Sequence, residues 1–250
     1  MRPILVLLRK DFIRFRRDRG TIVLTFLVPF SMTYLFGQIY GVNRSGRGPS
    51  AMATELVGGW AMQFLLFALV WSAASLFDEK DLGLFQRLLS GPVPRSAILW
   101  SKFLYGICLG LLQLMILFAA GRVLFGIEIL AHLLPLVLAS VCAAATCSAF
   151  GMLLASLAKT REVARSLSTF CILLMSALGG AWFPISFMPA FMQRLSRFTP
   201  VYWSIKGFSQ VLWEHAPLAG LLPTLGILAG IAAGLLAVAW WRFSRGQIFA

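Results

Sequence analysis

Charge is scarce in this chain: 12% of its 250 residues are Asp, Glu, Lys or Arg, against roughly 25% in a typical soluble domain. What charge there is avoids long stretches altogether. Runs 21–40, 56–77, 103–120, 133–158, 166–193 and 216–241 contain none. About 20 such residues, rising 1.5 Å each, cross a hydrocarbon core of about 30 Å. Six runs reach that length, with 103–120 slightly short, so water is excluded as the main solvent of the fold. The pattern predicts a polytopic α-helical membrane protein of one domain over 1–250.

Other absences narrow the chemistry. The nine acidic residues sit in loops or at run ends, and the two histidines, His132 and His215, are far apart in sequence. With no HExxH and no GxSxG, general acid–base, metal and nucleophilic catalysis have no foothold. No GxxxxGK[ST] is present to cradle nucleotide phosphates, so this chain is not expected to be an enzyme or to bind a cofactor. The runs also lack the ionisable relays that ion-driven carriers keep within the membrane. The four cysteines lie in apolar runs without CxxC spacing, as small buried residues do. No cleavable signal sequence is expected, because the basic front is long and no small-x-small site follows the first run.

The formal charge is +13, and its placement argues against nucleic acid. Sixteen of twenty-two Lys/Arg fall at 2–19, in the loops at 80–102 and 159–165, and at 242–245. The remaining loops hold Arg44, Arg47, Arg122, Arg194, Arg197 and Lys206. The positive-inside bias then puts both termini in the cytoplasm. Spans are expected at about 21–40, 56–77, 98–120, 131–157, 166–183 and 218–241.

Residues 1–19 read as an interfacial amphipathic helix with Leu5, Leu8, Phe12 and Phe15 on one face. It should end near Asp18-Arg19-Gly20, and Pro29 should kink the first span. Polar residues inside spans are few. Gln63, Ser72, Gln113 and Thr146, with Ser75 and Ser148, are candidates for a substrate path or for bonds between helices. In the last span, Gly226, Gly230 and Gly234 form a small-xxx-small ridge expected to pack within the chain, with a dimer seam as the alternative. Between spans 5 and 6, Phe191, Leu195 and Phe198 suggest a short interfacial or re-entrant helix.

The longest inward-facing interruption is 78–102. There Leu82, Phe85, Leu88 and Leu89 share one helical face, and Gly91-Pro92-Val93-Pro94 ends the helix. Periodicity alone is equally compatible with docking on a soluble partner and with lying on the membrane.

Three groups of residues carry a resemblance. They are Glu79-Lys80-Asp81-Leu82-Gly83 with Leu88-Leu89, Pro92-Val93-Pro94-Arg95 and Lys102; Lys10-Asp11 with Arg16-Arg17-Asp18-Arg19; and Gly179-Gly180-Ala181-Trp182-Phe183-Pro184 with Met188-Pro189 and Thr199-Pro200-Val201-Tyr202. In this order, over essentially the whole chain, they are similar to ABC-2 type transporter permeases.

The resemblance implies a permease half that pairs with a second copy, a homodimer by expectation, on two cytoplasmic ATPase subunits holding ATP and magnesium. It implies six spans, an N-terminal interfacial helix, a cytoplasmic coupling helix and a re-entrant outer segment. Glu79, Lys80, Leu82, Gly83, Phe85, Arg87 and Leu88 would meet the ATPase. Lys159, Arg161 and Glu162 would make a secondary contact, and Phe183, Pro184, Met188 and Pro189 an outer gate. Localisation would be a bacterial inner membrane, with lipid as solvent. With apolar spans, the expected activity is export of a hydrophobic or amphipathic compound. The alternatives are export of a lipid-linked glycan and a non-transporting scaffold that recruits a cytoplasmic protein.

Overall fold

The computed structural model describes residues 2–39, 51–91, 93–127 and 129–244, and all regular structure among them is helical. Five helical stretches are long and apolar enough to cross a membrane: Val57–Asp81, Ser96–Leu124, Leu130–Leu157, Arg161–Gly179 and Leu218–Ser244. The first apolar run is helical from Arg19 through Ile39, with Arg19–Leu35 as an apolar helix. Among the described residues, five of the six expected spans coincide with helices of spanning length, and most of the 41–55 loop lies outside the described residues.

The helices are α1 (Arg2–Arg17), α2 (Arg19–Ile22), α3 (Val28–Ile39), α4 (Ala51–Asp81), α5 (Leu84–Leu89) and α6 (Arg95–Phe125). They continue with α7 (Leu133–Leu157), α8 (Arg161–Gly179), α9 (Ala190–Ser196), α10 (Pro200–Leu212) and α11 (Leu218–Ser244). Between α2 and α3 the chain widens into a π-turn, Val23–Leu27, and the Val28 N–H donates to the Val23 carbonyl. Pro29 has no N–H to offer Thr25, and the widened turn absorbs that missing bond just before it. Charged residues do not stop a helix: α6 runs through both Lys102 and Arg122, which is why it outruns the uncharged stretch 103–120.

The core is built around α7, which packs against α4, α6, α10 and α11. Its Ala139, Ala143, Ala144 and Ala149 are buried. Small side chains let neighbours approach closely, the main route to helix association where lipid removes the hydrophobic drive. Leu65, Leu66 and Leu69 of α4 meet Leu109, Leu114 and Leu117 of α6 in the same core. The segment after α8 folds back: α10 buries Val201, Ile205, Phe208 and Val211 against α4, α7 and α11. By contrast α9 and its flanks leave Phe187, Phe191 and Phe198 exposed.

Two expectations change here. The rotation of α1 differs from the one predicted, since Leu7, Asp11 and Phe15 are buried and Leu5 is exposed. The helix packs on α6, with the Phe12 and Tyr105 rings edge to face at 5.1 Å, and this contact sets its inward face. Among the described residues nothing packs on the glycine ridge of α11, against the expected packing within the chain: a Cβ at Gly226, Gly230 or Gly234 would find no atom within 4 Å. The distant histidines also come together, His132 stacking on His215 with ring centroids 4.8 Å apart.

Candidate functional site

Three carboxylates and four cations gather at the end of the bundle where α1, α4, α6 and α8 meet. Asp78 and Glu79 close α4, placed by its last turns at the negative end of the helix dipole, where carboxylates are unfavourable unless compensated. Compensation comes from three other helices. The Lys102 Nζ of α6 donates to Glu79 Oε1 at 2.7 Å and to Asp11 Oδ1 at 2.9 Å. From α1, Lys10 Nζ donates to Glu79 Oε1 at 2.8 Å, and Arg14 Nη2 to Asp78 Oδ2 at 2.8 Å. Arg161, in the first turn of α8, holds the other Asp78 oxygen, Oδ1, at 2.7 Å.

Burial sets the energetic weight of these contacts. The side chains of Glu79, Asp11 and Lys102 are 1%, 4% and 4% exposed. Asp78 is more open, and its partners Arg14 and Arg161 reach in from the surface. Removing one member of a buried pair costs about 3–5 kcal/mol, whereas an exposed pair is worth about 0.2–1 kcal/mol. Asp11 Oδ2 and Glu79 Oε2 are buried and carry no hydrogen bond, which leaves the inner part of the cluster under-satisfied. Beside it lies a cavity of about 240 Å³, whose wall includes Asp11, Arg14, Asp18, Asp78, Tyr105 and Arg161.

The cluster sits at the root of the segment expected to dock. Helix α4 ends at Asp81, so Glu79 and Lys80 belong to a long helix and not to a separate coupling helix. The chain turns at Gly83, whose φ of 66° is the left-handed region that favours glycine. The Gly83 N–H donates to the Lys80 carbonyl at 2.8 Å, closing that turn. Helix α5 is then six residues long. Its expected apolar face divides: Leu82 stands in the turn, 67% exposed, while Leu88 is half-buried against the core beneath. Arg87 is exposed, and the side chains of Phe85 and Leu89 lie outside the described residues.

Glu79, read from the sequence as a surface contact, faces inward because Lys10 and Lys102 hold it there. Lys159, Arg161 and Glu162 are exposed around the start of α8, where Thr160 caps the helix by accepting from the Val163 N–H at 3.3 Å. Of the other candidates, Phe183 and Pro189 are exposed, Met188 is half-buried and Pro184 is buried. Those four lie in the connection between α8 and α9, after the Gly180 left-handed cap.

Gln63, Gln113 and Thr146, weighed as a substrate path or as bonds between helices, are buried. Gln63 Oε1 accepts from the Trp182 indole N–H at 2.6 Å, tying α4 to the turn after α8. The Thr146 hydroxyl has one proton to share between the Cys142 carbonyl of its own helix at 2.8 Å and the Leu228 carbonyl of α11 at 3.1 Å. Gln113 is fully buried with both amide atoms unpaired, and the side chain of Ser72 lies outside the described residues. A polar bond between helices in a membrane is worth about 0.6 kcal/mol.

The order of features along the chain then meets its family. A model of the ABC-2 type transporter membrane domain matches residues 2–213. The chain belongs to the ABC-2 type transporter family. Its similarities extend to individual permeases. The linearmycin resistance permease protein LnrN of Bacillus subtilis is 26% identical over 175 residues, which is 70% of this chain and 45% of that protein. The inner membrane transport permease YadH of Escherichia coli K12 is 28% identical over 216 residues, covering 85% of this chain and 83% of that one. The chain thus spans less than half of one relative and most of the other. Both relatives are permeases by name. Family membership, with five described helices of spanning length, makes this chain a membrane component of an ABC transporter.

The ion cluster escaped the sequence reading because each charge stood at the edge of a run and looked solvated. A signal was present. Lys10-Asp11 and Asp78-Glu79 each put an acid beside the membrane boundary, and Lys102 lies well inside α6, where an unpaired charge is costly.

Proposed function

We propose that this permease exports a hydrophobic or amphipathic compound, using ATP hydrolysed on two separate cytoplasmic subunits. Both termini and the ion cluster lie on the cytoplasmic side, and a second copy of the chain completes the pathway. The ATPase docks on the turn and short helix at 82–91, with the exposed start of α8 as a secondary contact. One observation carries this reading. The segment at 82–91 hangs from the end of α4, which ion pairs tie to α1, α6 and α8. A push on that segment is thereby delivered to four helices at once. The apolar spans favour an amphipathic cargo over a small ion, since the long helices carry few polar side chains outside their own contacts.

The test uses Leu82 and Arg87, which are exposed and dispensable for packing. The double substitution Leu82→Asp with Arg87→Glu is expected to abolish cargo-stimulated ATP hydrolysis in the assembled complex, while membrane insertion and yield stay at the parent level. Full retention of stimulated hydrolysis overturns the docking assignment. Crosslinking from position 82 to a protein bearing a GxxxxGK[ST] loop is the direct physical confirmation.

A further inference from the structure

At the end of the bundle opposite the ion cluster, α6 and α7 leave a groove of about 380 Å³ between them. Leu111, Met115, Phe118 and Arg122 of α6 line one wall, spaced so that one helical face looks into it. Leu133, Leu136, Val137 and Ser140 of α7 line the other, and Ile129 and Leu130 close the tip. Leu111 to Arg122 rises about 16 Å along the helix at 1.5 Å per residue, close to half of a hydrocarbon core of about 30 Å. The groove thus has the length of one leaflet. Met115, Leu130, Leu133 and Val137 are exposed, so it opens sideways toward lipid.

Its polarity is asymmetric. The described wall is apolar except for Ser140 and for Arg122, which stands in the last turn of α6. Arg122 is exposed, and no described residue forms an ion pair with it. A cation at the membrane boundary above an apolar slot one leaflet deep matches an amphiphile with an anionic head and a long chain.

We propose that the α6–α7 groove is a binding site for an anionic phospholipid of the membrane, the phosphate on Arg122 and an acyl chain along Leu111, Met115, Phe118 and Val137. The occupant is a resident lipid and not the exported compound. The site stands apart from the 82–91 segment and from the ion cluster, and its assignment does not depend on export or on orientation.

The experiment reconstitutes the full chain in vesicles of equal parts phosphatidylglycerol and phosphatidylcholine, present in both leaflets. Lipids retained after transfer to detergent are then counted by native mass spectrometry. The parent chain is expected to retain phosphatidylglycerol about fivefold over phosphatidylcholine, the fold-change that about 1 kcal/mol per surface cation gives. Arg122→Gln brings the ratio to about one and Arg122→Lys restores it. Val137→Trp, which fills the slot, lowers retention of both lipids. Equal retention by the parent chain, or a preference unchanged in Arg122→Gln, overturns the proposal. Retention unaltered in Val137→Trp overturns the acyl-chain placement. Neither result bears on ATP coupling, which is read separately at position 82.

Discussion

Lys102 is the most deeply buried cation serving both buried carboxylates. Its ammonium bridges Asp11 and Glu79, so its removal leaves two buried negative charges to the more exposed Lys10, which reaches both, and to Arg14, 4.0 Å from Glu79. Lys102→Met is expected to lower stability by about 3–5 kcal/mol, while Arg14→Ala, at the exposed rim, costs under about 1 kcal/mol. Thermal unfolding of the purified chain in detergent separates the two, and equal losses would contradict the burial ranking. Asp18 works at the same scale with a different partner. The Thr21 hydroxyl donates to its carboxylate at 2.6 Å and the Thr21 N–H at 3.0 Å, capping α2. Those donors hold its carboxyl below the ordinary value of 3.8. Its folded pKa is depressed, so its contribution is complete above that value and fades as pH falls through the lower, native one. Asp18→Ala is expected to cost about 1 kcal/mol at pH 7, and Asp18→Asn much less because Asn also caps. The difference between parent and Asp18→Ala should shrink only below about pH 4, as read by melting temperature across pH.

Elements differ in how much of them their own residues announce. The long helices were legible because uncharged runs of spanning length have few alternatives in lipid. Their ends were less legible: α6 spans Arg95–Phe125 where 98–120 was expected, and its Lys102 finds partners on α1 and α4, a tertiary fact that composition does not carry. The segment expected to dock was legible as a break between apolar runs but not as a shape. The turn at Gly83 divides what periodicity joined, sending Leu82 outward and Leu88 inward. Gly83→Ala is expected to cost about 1–2 kcal/mol through the left-handed backbone. It should also cut ATP coupling more than it cuts insertion, when ATPase stimulation is compared with membrane yield. Gly59 is a second backbone-limited position: a Cβ there would run into the Ala181 carbonyl, so α4 could not stay against the turn after α8. Gly59→Ala should destabilise the chain by about 1–3 kcal/mol, the range for overpacking, measured by the same melts.

At the scale of the whole molecule, the two ends of the bundle have opposite characters. One is knitted by ion pairs among four helices; the other presents exposed aromatics, a stacked histidine pair and an apolar groove. The smooth ridge of α11 adds a third surface, bare along Gly226, Gly230 and Gly234. Gly230→Leu should leave the melting temperature of the isolated chain within about 0.5 kcal/mol of the parent, as surface changes usually do. For the second copy proposed above, a fall in the dimer fraction on native gels would put the contact on this ridge, and an unchanged fraction would put it elsewhere.

The ion cluster also dictates an order of events during synthesis. Asp11 and Lys102 are 91 residues apart. At about 5–20 residues per second, Asp11 waits roughly 5–20 s after leaving the ribosome before its partner exists. Until then α1 has no α6 to pack on and no cation to accept its buried carboxylate except neighbouring Lys10. The first helix made therefore cannot be seated until α6 has followed it. A chain that stops short of Lys102 keeps two acids at the membrane boundary with their principal counter-ion missing, a state that distinguishes an unfinished permease from a finished one.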